Sequence, residues 1–364
     1  MTTILLAGGG TGGHLMPAMA MARATGRIRP DWKFHFAGAE RGIEAKILPE
    51  RGLPHTLLPL EPLHRRAWWK NLRWLTIAPR LIAGIDRLLD EQAPAAVIGS
   101  GGYVSGPVLW RAARRGIPTG ILELDVHPGF ATRRLAARVD AIWTATPEAI
   151  DALPAAVRGR AVVTGAPIEP PDPARRSAAM TRFGLDPARP VLVVTGGSQG
   201  SLAINRLVAE WLRTGATGAW QLIWATGAAT HAEFAEWEQT PGVTVTPFLD
   251  PMADAWAVAD LALARAGMMT IAELCAWGVP AVLIPLPTAA ADHQTHNARA
   301  LADAGAAIAL PQQGLDAATL GAVLNDLGRD RARLTSMASA ARSRGRPDAA
   351  AGIALRIVEL AARP

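Results

Sequence analysis

Cysteine is nearly missing from this chain. Cys275 is the one thiol in 364 residues, which excludes an internal disulfide and suits a reducing compartment. Set in an Ala/Leu-rich stretch, it reads as a packed apolar side chain, and no role is assigned to it. Long hydrophobic runs are lacking too. The best apolar segment, Trp74 to Ile85, is interrupted by Pro79 and Arg80 and falls well short of the roughly 20 residues that span a bilayer. No charged segment followed by an apolar one leads into the first strand-like run, so no secretory signal is visible and a soluble or peripheral protein is expected. Metal-ligand spacing is absent: His293 and His296 stand three apart with no thiolate or second histidine pair nearby, and no D-x-D pair lies near a strand end. No tightly bound cofactor is expected, and a divalent cation is left at most an assisting role. With half of its residues hydrophobic and 19% charged, the chain is not disordered.

What is present is glycine, in clusters. Gly8-Gly9-Gly10-Thr11-Gly12-Gly13-His14 follows the apolar run Ile4 to Ala7 and precedes Pro17 and the Ala/Met-rich run Ala18 to Ala24. Such a series reads as strand, tight turn and helix. Glycines there let backbone N–H groups approach a ligand, and the helix N-terminus adds partial positive charge, so the expected ligand is an anion such as a phosphate. The bland alternative is a turn that only packs helix on strand. His14 falls in the first helical turn, where the same positive end disfavours a protonated ring and leaves a neutral base facing the anion. A catalytic histidine and a capping or packing one both stay open.

At 364 residues the chain has room for two domains. Strand-like runs at Ile4 to Ala7, Lys33 to Ala37, Ala95 to Ile98, Gly120 to Leu122 and Ala141 to Thr144 alternate with helical stretches, which predicts a parallel sheet with crossover helices. The Pro-rich interval Gly165 to Pro173 reads as a linker. The pattern then restarts: Val191 to Thr195 leads into Gly196-Gly197-Ser198-Gln199-Gly200 and the helical run Leu202 to Leu212. Further strands are expected at Gln221 to Ala225, Val243 to Thr246, Leu261 to Ala264, Val279 to Pro285 and Ala307 to Leu310. The expected fold is α/β, with two Rossmann-like parallel-sheet domains, 1–164 and 165–345, facing across a cleft. The remainder, 346–364, holds a helix, Ala349 to Ala361, that could pack back on the first domain.

Gly8, Gly10 and Gly13 satisfy G-x-G-x-x-G, and Glu40 stands where a dinucleotide-binding acid would, so an NAD or FAD enzyme is a rival reading. The second glycine turn, with the Ser198 hydroxyl and the Gln199 amide, offers another phosphate site; a nucleotide diphosphate clasped between two domains fits both turns better. A third turn, Gly99 to Pro107, again exposes backbone donors. In Arg265 to Glu273, Thr270 and Glu273 have capping-box spacing; alternatively, Glu273 accepts bonds from vicinal ribose hydroxyls. The cluster Asp292 to Asn297 suits the reading of sugar hydroxyls. Trp68, Trp69 and Trp74 among His64, Arg65, Arg66, Lys70 and Arg73, and Trp110 beside Arg111, Arg114 and Arg115, suit an anionic membrane interface or, alternatively, a packed helix with a basic face. The net charge of +6 is compatible with an anionic partner, and no nucleic acid is expected as one.

G-G-T-G-G-H, G-G-Y-V-S-G-P, G-G-S-Q-G, T-P-F-L-D-P-M and A-G-M-M-T-I-A-E-L occur in one order over nearly the full length, and in this the chain resembles the MurG family. These are N-acetylglucosaminyltransferases of bacterial peptidoglycan synthesis. The resemblance implies a GT-B fold, a UDP-N-acetylglucosamine (UDP-GlcNAc) donor held mainly by the C-terminal domain, and inverting transfer to the 4-hydroxyl of the muramyl sugar of lipid I, the undecaprenyl-diphosphate-linked MurNAc-pentapeptide. It further implies a peripheral location on the cytoplasmic side of the plasma membrane. By resemblance Ser198 and Gln199 meet the donor diphosphate, Phe248 and the Leu249 backbone the uracil, and Glu273 the ribose, while His293 or Gln294 meets the sugar hydroxyls. Met268, Met269 and Thr270 join the donor side; Thr11, Gly12 and Gly13 border the transferred sugar. Gly101, Gly102 and Tyr103 lie near the lipid diphosphate.

Two positions depart from the family pattern. Glu123-Leu124-Asp125 stands where E-Q-N is usual, and Glu169 stands where an arginine is usual. Asp125 is ionisable, and with burial its pKa would rise toward a useful range; Asp125 is therefore the expected base, with His14 positioning the acceptor or stabilising charge. A nucleotide-sugar epimerase and a non-catalytic sugar-nucleotide-binding protein at the membrane are the rival functions.

Overall fold

The computed structural model describes residues 1–61, 73–215, 218–289 and 292–363. The chain divides into two units: unit 1 is Met1–Glu169 with Asp348–Pro364, and unit 2 is Pro170–Pro347.

In unit 1 the strands are β1 (Thr3–Ala7), β2 (Lys33–Ala39), β3 (His55–Leu58), β4 (Ala96–Gly99), β5 (Thr119–Glu123), β6 (Ala141–Thr144) and β7 (Ala161–Val163). Every residue of β1, β4 and β5 is buried, as expected of parallel strands covered on both faces. The order is β3-β2-β1-β4-β5-β6-β7, and all pairs are parallel. Ile4 pairs with Phe34 on one side and Ala96 on the other. Between β1 and β4 the winding reverses, and α/β folds of this kind bind ligands at the carboxyl ends of the strands flanking such a reversal. Helices α1 (Gly12–Ile28) and α4 (Gly102–Arg114) start at those ends; α2 (Glu44–Glu50), α3 (Trp74–Gln92) and α5 (Phe130–Leu135) complete the elements used below. The C-terminal helix Ala349–Ala361 packs on α1, β4 and β5, burying Ile353, Ala354, Ile357 and Leu360 at helical spacing.

Unit 2 repeats the plan. Strands β8 (Val191–Thr195), β9 (Gln221–Ala225), β10 (Val243–Thr246), β11 (Leu261–Ala264), β12 (Ala281–Leu283) and β13 (Ala307–Ala309) form a sheet of order β10-β9-β8-β11-β12-β13, again all parallel. Its reversal lies between β8 and β11. Trp211, Trp220 and Trp224 fill the core beside one face. Asn205, itself buried, accepts the Trp224 indole N–H (3.0 Å) and donates to the Thr226 carbonyl (2.7 Å), so these buried groups pair with each other.

Two Rossmann-like halves are thus present, as the alternation predicts, with differences at the margins. Strands β3 and β7, at the two edges of the first sheet, were not expected. The Pro-rich interval is not a solvated linker throughout: Ala166 and Ile168 are buried, and the boundary between units falls after Glu169.

Candidate active site

In unit 1 the loops after β1 and β4 are built into each other. Ser100, following β4, donates its amide to the Ala7 carbonyl (3.0 Å) and its hydroxyl to the His14 carbonyl (2.8 Å). Ser105 Oγ donates to the carbonyls of Ala7 and Gly101. His14 Nδ1 lies 3.2 Å from the Ser100 carbonyl oxygen. A carbonyl only accepts, so Nδ1 carries the proton and Nε2 is the acceptor nitrogen of the neutral ring. Gly101 has φ +100°, and a Cβ there would fall 2.6 Å from His14 Nδ1, so this close approach requires glycine. The structure thereby brings His14, Gly101, Gly102 and Tyr103 to one loop pair. Thr11 is the N-cap of α1 but makes no capping bond, and α4 starts at Gly102 behind its N-cap Gly101, whose own amide donates to Ser105 Oγ (3.0 Å).

A residue missed at the sequence level, Glu44, holds this arrangement. Fully buried at the start of α2, its carboxylate accepts the Gly10 amide (2.9 and 3.1 Å) and the Ala39 amide (2.9 Å). Gly9 and Gly42 leave room for it. This corrects the phosphate-cradle expectation for the first turn: the Gly10 N–H is already committed to an anion, and a second one beside it would be repelled. Donors left at this turn include the amides of Gly12 and Gly13 at the α1 N-terminus.

Asp125 is half-buried in the loop after β5. Its amide donates to Glu123 Oε1 (3.1 Å), and Gly129 N donates to Oε2 (2.9 Å), so the loop folds around the buried Glu123 carboxyl. Burial pushes that carboxyl up to about 7, with the Asp125 charge adding; its bonds from Thr132, Gly129 and Asp125 oppose the rise. Glu169 is exposed at the end of unit 1.

In unit 2, Ser198 and Gln199 are exposed on the turn after β8, and their amides meet no acceptor among the described residues. The following helix, Leu202–Arg213, is capped by Ser201, whose Oγ accepts from Ile204 N (3.4 Å). Phe248 is 54% exposed, while Leu249 is buried. The helix Met268–Trp277 has Gly267 as its N-cap with no side-chain bond, so Thr270 lies inside the helix and the capping-box reading fails. Met268 is buried; Met269, Thr270 and Glu273 are half-buried. The Trp256 indole donates to Glu273 Oε2 (2.9 Å) and so fixes the carboxylate. Gln294 Oε1 accepts from Leu286 N (3.0 Å), which turns the amide and fixes the direction of its NH₂ group. His293 is the first residue of its helix, His293–Asp303.

Arg265, just beyond β11, was passed over at the sequence level although a charged residue directly after a buried strand is a usable signal. Its guanidinium is buried beside Ser201. Cys275 is buried as expected, its thiol pushed up to about 12, which makes it inert. Among the described residues no group of three or more His, Cys, Asp or Glu is placed to hold a metal ion.

Of the tryptophans assigned to a membrane surface, Trp68 and Trp69 lie outside the described residues. Trp74 and Trp110 pack half-buried against the unit 1 core, with the Arg114 guanidinium 5.2 Å from the Trp110 ring. The large apolar side chains that protrude nearby in sequence are Leu75 (75% exposed) and Ile82 (38%) on α3. No described helix is long and apolar enough to cross a membrane.

Residues 4–144 match the glycosyltransferase family 28 N-terminal domain, and residues 191–353 its C-terminal domain. A protein of Salinibacter ruber, named UDP-N-acetylglucosamine–N-acetylmuramyl-(pentapeptide) pyrophosphoryl-undecaprenol N-acetylglucosamine transferase, is 41% identical, covering 99% of this chain and 97% of its own. A Chlorobaculum parvum protein of the same name is 40% identical over 98% and 99%. The crystal structure of MurG from Acinetobacter baumannii superposes with a TM-score of 0.75 at 29% identity, covering 99% of this chain and 100% of that one. At 14% identity, the UDP complex of Staphylococcus aureus MnaA shares the fold alone (TM-score 0.68; 99% and 98% covered). With two parallel sheets, glycine turns at both winding reversals and full-length similarity to these transferases, the chain belongs to the MurG family of GT-B glycosyltransferases.

Proposed function

We propose that this chain transfers N-acetylglucosamine from UDP-GlcNAc to the 4-hydroxyl of the muramyl sugar of lipid I, with inversion, in peptidoglycan synthesis. The observation that carries this is similarity to transferases of that name over almost all of both chains. On the donor side, the amides of Ser198 and Gln199 and the helix start at Leu202 receive the diphosphate. Glu273 binds the ribose hydroxyls, supported by Trp256 holding its other oxygen. Phe248 offers an exposed ring to the uracil beside the Leu249 backbone, with Met268, Met269 and Thr270 at the adjoining helix start. His293 and the Gln294 NH₂ face the sugar hydroxyls. In unit 1 the start of α4 at Gly102 and Tyr103, beside Gly101, receives the lipid diphosphate, and Thr11, Gly12 and Gly13 border the transferred sugar.

As the acceptor oxygen bonds to the anomeric carbon, the bond to UDP breaks with its electron pair on the β-phosphate, and the hydroxyl proton passes to a base. Asp125 was the expected base. What favours His14 instead is its fixed tautomer, Nδ1–H on Ser100, which sets Nε2 as a proton acceptor in the way an oriented catalytic histidine is held. Incubation with UDP-GlcNAc and a short-chain lipid I analogue should give one disaccharide product per UDP released. Conversion of UDP-GlcNAc to its epimer without acceptor would establish the rival activity. His14→Ala should reduce kcat by roughly 10²-fold or more while Asp125→Asn retains most of it; the reverse result returns the role to Asp125.

Association with the cytoplasmic membrane face is assigned to the start of α3, where Leu75 and Ile82 protrude near Arg73 and Arg80. Binding to vesicles should rise with anionic lipid and fall with salt. Leu75→Ser with Ile82→Ser should release the protein without unfolding it; unchanged binding would exclude this surface.

A further inference from the structure

Arg265 carries a buried charge that no carboxylate among the described residues neutralises. Its side chain is within a residue only 8% exposed. Nη1 donates to the carbonyls of Ile284 (3.0 Å) and Pro285 (3.1 Å), and Nη2 to Ser201 Oγ (2.8 Å) and Gln312 Oε1 (2.6 Å). All four acceptors are neutral. No carboxylate pairs with it among the described residues, and residues 62–72, 216–217 and 290–291 include no Asp or Glu. Buried cations are ordinarily paired with anions, because hydrogen bonds to neutral groups satisfy the donors without compensating the charge.

Its surroundings indicate where the compensation comes from. Ser201, which Nη2 touches, is the N-cap of the helix Leu202–Arg213, so the positive end of that helix adds to the guanidinium. On the turn that leads into this cap, the amides of Ser198 and Gln199 meet no protein acceptor. A buried cation, a helix start and two unpaired donors thus share one turn. Structural tying explains the four bonds of Arg265; it does not explain a charge, since neutral donors would serve neutral acceptors.

We infer that Arg265 is the built-in counter-charge for the donor's diphosphate, a positioning residue that acts through Ser201 and the turn rather than by touching the nucleotide. This rests on the donor assignment above. When the anomeric C–O bond breaks, the electron pair stays on the β-phosphate oxygen and the diphosphate gains one negative charge, so Arg265 favours the departing UDP over the intact donor.

Calorimetry with uridine, UMP and UDP, which differ in charge but share the nucleoside, tests it on the intact chain. Arg265→Gln should leave uridine affinity within about threefold and weaken UMP and then UDP progressively, UDP by on the order of 30-fold. In the transferase assay kcat should fall by more than KM rises. An equal loss for all three ligands would show a purely structural tie and overturn the inference while leaving the donor reading intact. If the parent binds neither uridine nor UDP, the donor reading falls and the inference with it. Should Arg265→Gln fail to fold, Arg265→Lys decides: it keeps charge but not the fork of bonds, and the parent's preference for UDP over uridine should survive within threefold. Collapse of that preference in a folded Arg265→Lys protein would also overturn it.

Discussion

The Glu123 carboxyl titrates at about 7 in the folded protein, against 4.5 for the ordinary side chain, because burial penalises its ionised form and Asp125 repels it. Between those two values the native state keeps a proton that the unfolded chain has released. Stability from this group is therefore full below about 4.5 and is lost as pH rises toward 7, a swing of about 3 kcal/mol. Urea unfolding of the parent at pH 4.5 and 7.5 should show that loss, and Glu123→Gln should flatten it. Asp125→Asn, by removing the repulsion, should move the titration to lower pH. A parent with no slope between these values would mean that the loop opens to solvate the carboxylate. His14 was legible in the sequence because its neighbours in the chain are the glycines that define the turn. Glu44 and Arg265 were not: Glu44 meets Gly10 across 34 positions and Arg265 meets Ser201 across 64, and no local pattern records such pairings.

Elements were legible where burial is complete. The runs of β1, β4, β5, β8 and β11 are buried throughout and mostly apolar because both faces are covered, and all of these strands were anticipated to within two residues. The edge strands β3 and β7 escaped notice: the first opens on His55-Thr56 and the second is three residues long, and an edge partly open to solvent does not require a continuous apolar run. The helix start at Gly267 was misplaced because Thr270 and Glu273 have the spacing of a cap by coincidence of sequence. Between elements, Glu44 links the turn after β1 to the end of β2. Glu44→Ala should leave the buried Ala39 amide and the half-buried Gly10 amide unanswered and destabilise the protein by roughly 3 kcal/mol. It should also lower kcat through the loosened His14 loop, while UDP affinity, assigned to unit 2, stays within twofold. Lost UDP binding with an intact fold would place the nucleotide elsewhere.

At the level of the molecule, the two-unit plan and the family could be read from the repeated strand, glycine turn and helix, but the boundary could not, because Ala166 and Ile168 are buried in a stretch whose prolines suggest a solvated linker. Nor does composition show how much unit 1 depends on the last helix. Ile353, Ile357 and Leu360 are each 1% exposed or less. At about 1.5–3 kcal/mol for each, their burial contributes roughly 5–9 kcal/mol, comparable to the whole stability of a typical domain. A chain ending at Pro347 should therefore lose the fold of unit 1 and keep that of unit 2, so limited proteolysis should leave a protected fragment near 170–347 and digest the rest. Two protected fragments of similar resistance would show that the helix is dispensable.

That return of the chain to unit 1 also orders events during translation. Unit 2 is one uninterrupted segment whose final residue is Pro347, whereas unit 1, though most of it is synthesised first, lacks its covering helix until Ala349–Ala361 has been made. Domains ordinarily fold from the N-terminus as they emerge. Here the first unit to begin is the last to finish, and until Ala349–Ala361 emerges α1 keeps an apolar face open to whatever chaperone reaches it first.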